Sequence, residues 1–274
     1  MRIRQSYPIR DRIKLVLILI VILIVLGYLA KCVHENSQIF KTATIEALLK
    51  TALEPIGSTM YIWGGGWNGE DDGSGATSTK LGLSSTWAEF MEMQDENYDF
   101  EQHRYEREKG LDCSGFVGWV LYNVFETKEG QTGYVTLSTD MAESLAKRGW
   151  GKLIKNPREF LPGDIVSMEG HVWICLGTCK DGSVLLAHSS PPGVSVCGTK
   201  LSGTEDNSMA VQLATEYMKE HHPRWQEKYP NREVSAAYLE DVVVFRWSKR
   251  VMQDAKEIQE KNAEEILRIL SPDM

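Results

Sequence analysis

The chain reads as an α+β fold: a buried helix packed on an antiparallel sheet, preceded by one transmembrane helix. Three observations predict it. A basic amino terminus leads into a long apolar run, a second apolar stretch of helical spacing begins at Cys113, and short β-branched runs separated by turn residues fill the part after residue 160. Helices first and antiparallel strands afterwards is the α+β order. With 274 residues, the chain outside the apolar run is ample for one core and shows no internal repeat.

The amino-terminal elements come first. Leu15 to Ala30 is apolar apart from Gly27 and Tyr28, and Lys14 and Lys31 at its ends can snorkel. Arg2, Arg4, Arg10, Arg12 and Lys14 stand before it against Asp11 alone. The positive-inside rule then makes 1–12 a cytoplasmic tail, 13–33 a membrane anchor and 34–42 a linker, with the remainder outside the cell. A cleaved signal peptide shares these features, but no small-x-small site follows the run. Leu29-Ala30-Lys31-Cys32 has lysine where a lipoprotein box needs a small residue. Residues 1–14 carry +4 of a total of −8, so the rest of the chain is strongly acidic. With no basic stripe or aromatic ladder, nucleic acid is not an expected partner.

The folded domain is expected over 43–250. Thr44 to Leu53 has helical spacing, and Tyr61-Ile62-Trp63 runs into Gly64-Gly65-Gly66. Residues 67–110 form an insertion, opening with a glycine, serine and acidic stretch (Gly69 to Ser78) that reads as a flexible loop. Trp87 to Gln94 is a short helix candidate. Asp112 is placed to cap a helix in which Phe116, Val117, Val120, Leu121, Val124 and Phe125 recur at helical spacing. Asp140 to Lys147 and Met209 to Lys219 are further helices. Ile165 to Met168, His171 to Leu176, Val184 to His188, Val194 with Val196, and Asp241 to Trp247 read as strands. Lys180-Asp181-Gly182 forms a hairpin turn among them. Residues 251–274 are expected to hold a charged amphipathic helix, Val251 to Leu270.

Cys113, His171 and His188 are the residues on which chemistry converges. A thiol is a good nucleophile only as thiolate, and a neighbouring imidazole is the usual means of generating it. In the first turn of a buried helix, free backbone N–H groups and the positive dipole end favour a thiolate and later an oxyanion. His188 is the candidate orienter of His171, with Asp164 a rival that fits better as a turn cap.

These residues fall in an ordered set: Tyr61-Ile62-Trp63-Gly64-Gly65, Asp112-Cys113-Ser114-Gly115, Pro162-Gly163-Asp164, His171-Val172 and His188. The set resembles the NlpC-type family of papain-like cysteine peptidases, which act on bacterial cell walls. The resemblance covers about half the chain and implies the papain-like fold, with Cys113 as nucleophile, His171 as general base and then acid, and His188 as third member. It also implies that Tyr61, Asp112 and Ser114 contact substrate, and that the backbone N–H of Cys113 serves the oxyanion. The implied substrates are peptidoglycan stem peptides, cut commonly between D-glutamate and a diamino acid. That chemistry requires no metal or organic cofactor. Where the family usually has glycine after His-Val, this chain has Trp173, which strand alternation points the same way as His171. Trp173 is therefore expected to wall the cleft and contact substrate, or to block it.

Two other readings compete: an amidase or acyltransferase with the same Cys-His pair, and a catalytically silent wall-binding protein. Capping of the helix is the structural alternative for Asp112 and Ser114, and packing the alternative for Tyr61, Trp63, Trp67, Trp87 and Trp119. Cys175, Cys179 and Cys197 are expected as buried thiols ahead of a disulfide or a zinc site. His103, His221 and His222 lie in polar stretches and are expected to be solvated.

Overall fold

A computed structural model describes residues 9–39, 43–69, 73–201 and 208–271, and the chain divides into two units, Met1–Thr42 and Ala43–Met274. The first holds helix α1 (Ile9–Ile39), whose apolar side chains from Ile13 to Tyr28 are largely exposed. It corrects the expected anchor. Among the described residues no helix is long and apolar enough to cross a membrane. Length is the physical reason: the run from Leu15 to Ala30 gives about 24 Å of helix at about 1.5 Å per residue, against about 30 Å of hydrocarbon. The transmembrane helix and the single-pass location fall together. Residues 1–8 of the expected tail and 40–42 of the expected linker lie outside the described residues.

The second unit is mixed α/β, built on a curled half-barrel sheet. Helix α2 (Ile45–Leu53) starts at Thr44, whose hydroxyl accepts from the Ala47 N–H at 3.0 Å, and buries Ile45, Leu48, Leu49 and Ala52. Strand β1 (Met60–Tyr61) follows, then α3 (Ser85–Glu92), β2 (Gly110–Leu111), α4 (Cys113–Val124), α5 (Met141–Lys147) and β3 (Gly151–Lys155). Strands β4 (Ile165–Met168), β5 (His171–Thr178), β6 (Val184–Ser190) and β7 (Gly193–Thr199) form a meander. Helices α6 (Met209–His221) and α7 (Pro223–Lys228), strands β8 (Glu233–Val234) and β9 (Val243–Trp247), and α8 (Ala263–Leu270) complete the chain. The sheet runs β2-β1-β7-β6-β5-β4-β9-β3, with β8 paired to β7. It is antiparallel except where β1 meets β2 and β7 meets β8.

Helix α4 is buried on nearly every side, from Cys113 to Tyr122. This is why its sequence is apolar all round rather than on one stripe. It lies against α2, β5 and β6. On the other face of the meander, Trp173, Cys175, Val184, Leu186 and Cys197 make a core with Phe160, Val166, Val242 and Val244.

Several expectations are corrected in detail. The carboxy-terminal helix begins only at Ala263, where Asn262 and Glu265 form a capping box; Val251 and Met252 are buried ahead of it, outside any helix. The stretch read as a flexible loop is shaped: Trp67 bridges to Ser74, a 3₁₀ turn spans Ala76–Thr79, and Thr77 and Ser78 are buried. Its residues 70–72 lie outside the described residues. His103 stacks on Tyr98 at 5.5 Å and pairs with Glu106 at 2.7 Å, so it is packed rather than solvated. His221 and His222 are half-buried beside Tyr217. Cys113, Cys175, Cys179 and Cys197 are free and buried.

Candidate active site

The site begins with a close approach that only glycine permits. A Cβ on Gly115 would stand 2.0 Å from the Gly65 carbonyl oxygen, and one on Gly65 would stand 2.5 Å from that of Gly110. Gly64 and Gly66 take positive φ, at 81° and 90°. The glycine run therefore folds flat against the start of α4, and the Gly65 carbonyl accepts from the Asp112 N–H at 3.0 Å. Tyr61 and Cys113 reach one cavity because their two motifs pack backbone to backbone.

Asp112 caps α4, accepting from the Gly115 N–H at 2.7 Å and from the Ser114 hydroxyl at 2.8 Å. The Trp67 indole N–H donates to Ser114 Oγ at 2.9 Å. These polar atoms are thus engaged within the protein, which is the capping alternative in its full form. Burial pushes the Asp112 carboxyl up to about 6, against the N–H and hydroxyl donors that hold it down.

Cys113 is the first residue of α4 and 6% exposed. Burial pushes its thiol up to about 12, with the Asp112 charge adding to the effect and the N–H groups of Val172, Ser114 and Cys113 opposing it. The cavity it lines, about 360 Å³, is walled by Tyr61, Trp63, Trp67, Tyr105 and Leu137, and reaches Gly170. Chain on both sides of His171 therefore adjoins the thiol: Gly170 shares its cavity, and the Val172 N–H acts on its sulfur.

His171 opens β5 straight after the Glu169-Gly170 turn, with Gly170 at φ 71°. Ile174 pairs with Ala187 across β5 and β6, so His171 and His188 stand diagonally on one face. Their rings meet edge to face, and His171 Nε2 and His188 Nδ1 are 3.0 Å apart, sharing one hydrogen bond. That bond occupies His171 Nε2 and does not involve Nδ1. Burial lowers His171 to about 4. Burial, then the neighbouring His171 and Arg232 charges, lowers His188 as well. Burial therefore favours the uncharged forms, a thiol at Cys113 and a neutral imidazole at His171.

Two sequence expectations change here. Trp173 points as alternation requires, but two residues beyond His171 that face is already covered by Phe160 and Val166, and Trp173 is fully buried. It neither walls nor blocks the cleft. Asp164 is the turn cap and not an orienter: it accepts from the Leu161 N–H at 2.9 Å and from Arg246 at 2.7 Å. The sequence reading missed Tyr238, whose ring lies 5.5 Å from His171 and 6.0 Å from His188. It also missed Trp67 and Tyr105, which the insertion contributes to the cavity. No signal marked Tyr238, which comes from a short 3₁₀ turn, Ala236–Leu239, in a polar stretch. Among the described residues no group of acidic, histidine or cysteine side chains is arranged to hold a metal.

No protein-family model, curated protein or solved structure matches this chain. The likeness to cell-wall peptidases rests on the motif residues alone.

Proposed function

We propose that this chain is a cysteine hydrolase that cuts amide bonds in peptidoglycan stem peptides, at the bond between D-glutamate and a diamino acid, through an acyl-thioester on Cys113. The observation that carries the reading is the buried helix start at Cys113 beside the hydrogen-bonded pair His171–His188, at 3.0 Å. The acyl part of the substrate occupies the cavity of Tyr61, Trp67 and Ser114. His171 takes the thiol proton as Sγ attacks the carbonyl carbon, and the N–H groups at the start of α4 receive the oxyanion. The C–N bond then breaks, and the leaving amine takes that proton from His171. Water, deprotonated by the same imidazole, hydrolyses the thioester and restores the thiol. Because the resting pair is uncharged, the thiolate forms only as substrate is attacked.

A second reading, an amidase or acyltransferase using the same residues, is favoured by the cavity wall. Tyr61, Trp63, Trp67 and Leu137 suit an apolar acyl group, while the polar atoms of Asp112 and Ser114 are already engaged. The silent wall-binding reading loses its main support, since Trp173 lies in the core.

Digestion of purified peptidoglycan by the full chain, beside Cys113→Ala, tests the proposal by mass spectrometry of the products. Stem-peptide fragments from the intact protein alone are expected. Silence from both on several wall types would move the acyl-substrate reading ahead.

A further inference from the structure

A second cavity, about 520 Å³, lies beyond His188. His188, Cys197, Arg232 and Tyr238 line it, whereas Cys113 and His171 do not. Arg232 is 2% exposed. Its Nη2 donates to the Tyr229 carbonyl, while Nε and Nη1 are buried without a hydrogen-bond partner. Among the described residues no carboxylate pairs with it; Glu233, the acidic neighbour in sequence, faces Lys200 at 3.7 Å. Two unmet donors on a buried guanidinium cost roughly several kcal/mol of lost hydration unless a ligand offsets it.

The lining selects the class of ligand. An oxyanion is the strong hydrogen-bond partner of a buried arginine. At the rim, exposed Glu96 and Glu233 stand with Lys228, so no positive excess is left there to hold a dianion such as phosphate. The unmatched charge is that of Arg232, and one negative charge balances it. The cavity is also far larger than a carboxylate group. Pro191, Pro192, Pro230 and Tyr238 present their rings around it, beside the hydroxyls of Ser190 and Ser195. Apolar walls with a few placed polar groups are the usual make-up of a small-molecule site. We infer that this cavity binds a monocarboxylic acid with an apolar body, its carboxylate on Arg232 and its body against the proline rings and Tyr238. The site is separate from the reacting groups, so it stands or falls independently of the hydrolase reading.

Calorimetric titration of the full chain with benzoate, benzamide, acetate and inorganic phosphate is the test. Benzoate is expected to bind, and benzamide about tenfold more weakly because it lacks the charge. Acetate, without the ring, and phosphate are both expected to bind more weakly than benzoate. Arg232→Gln is expected to weaken benzoate by about tenfold. Ser235→Asp is the second variant. Ser235 is exposed at the cavity, and its hydroxyl caps a 3₁₀ turn by accepting from the Ala237 N–H, a bond that aspartate also makes. The added charge is expected to weaken benzoate several-fold and to leave benzamide unchanged. No binding of benzoate to folded wild type, or equal binding of benzoate and benzamide, would overturn the site. So would undiminished benzoate binding by a folded Arg232→Gln. If that variant does not fold, Ser235→Asp decides, since unchanged benzoate binding there would put the acid elsewhere on the protein. Phosphate binding as tight as that of benzoate would overturn the choice of a singly charged carboxylate.

Discussion

Two buried polar clusters of this domain are built on opposite principles. Asp164 is fully buried, yet its carboxylate accepts from the Leu161 N–H and from Nε and Nη2 of Arg246, whose remaining donors reach Glu159. That cluster is saturated. The cluster of His171, His188 and Arg232 is not: the two imidazoles share one bond, and Arg232 keeps two donors unpaired. A saturated network fixes structure, because any loss leaves a bare charge behind. An unsaturated one keeps its capacity for protons and ligands. Stability is thus expected to reside in the first and activity in the second.

Truncating one member of each cluster sharpens the contrast and carries the largest effects. His171→Ala is expected to lower amide hydrolysis by about 10³-fold, within the usual range for a general base, while its urea midpoint stays near wild type. Asp164→Ala is expected to lose about 3–5 kcal/mol, the typical cost of stripping one partner from a buried ion pair. Its remaining folded fraction should turn over normally. Equal loss of stability in both variants, read from urea unfolding, would erase the distinction.

The contrast extends to acid. His171 and His222 are held down to about 4, and His188 is lowered also, by burial first in each case. A histidine whose folded value is depressed contributes stability that is present above about 6.5, its unfolded value, and lost as pH falls toward the folded value. Asp112, raised to about 6, acts in the opposite sense over much of this window, being favoured folded when protonated. Burial raises Asp164 and Glu54 as well, so histidines and carboxyls oppose each other between about pH 6.5 and 4. Urea unfolding of wild type and His188→Gln at pH 7 and pH 5 isolates one contribution. The variant should lose less on acidification, by up to about 1.4 kcal/mol for each pH unit. An identical loss in both would mean that His188 accepts its proton without disturbing the fold.

How much of this was legible in the sequence follows from the same contrast. Cys113, His171 and His188 stood out because their neighbours are constrained: glycines where backbones touch, and a capping aspartate before an apolar helix. The direction of Trp173 was legible from alternation, but its burial depended on Phe160 and Val166, which sequence alone does not bring to that face. Arg232 and Tyr238 were invisible. Arg232 lies in irregular chain just before a two-residue strand and Tyr238 in a 3₁₀ turn, neither long enough for any periodicity to announce. The order in the insertion was hidden by its composition, since the side chains of Trp67 and Ser78 hydrogen-bond to α4, far along the chain. The apolar amino-terminal run was read as a span because its ends were extended through charged residues.

The smallest expected effect lies in the saturated polar set around the thiol. Trp67→Phe keeps the aromatic wall but removes the N–H that donates to Ser114 Oγ. Ser114 still donates to Asp112, so no donor is stranded and only one acceptor position goes unfilled. The expected loss is about 1 kcal/mol of stability, the usual net value of one such bond. The hydrolysis rate should move by less than about threefold, because Asp112 continues to cap α4 through the Gly115 N–H. A much larger fall in rate at unchanged stability would break the comparison. It would mean that the Trp67–Ser114 bond holds the thiol in register for attack, and that a saturated network here serves the reaction as directly as the open one.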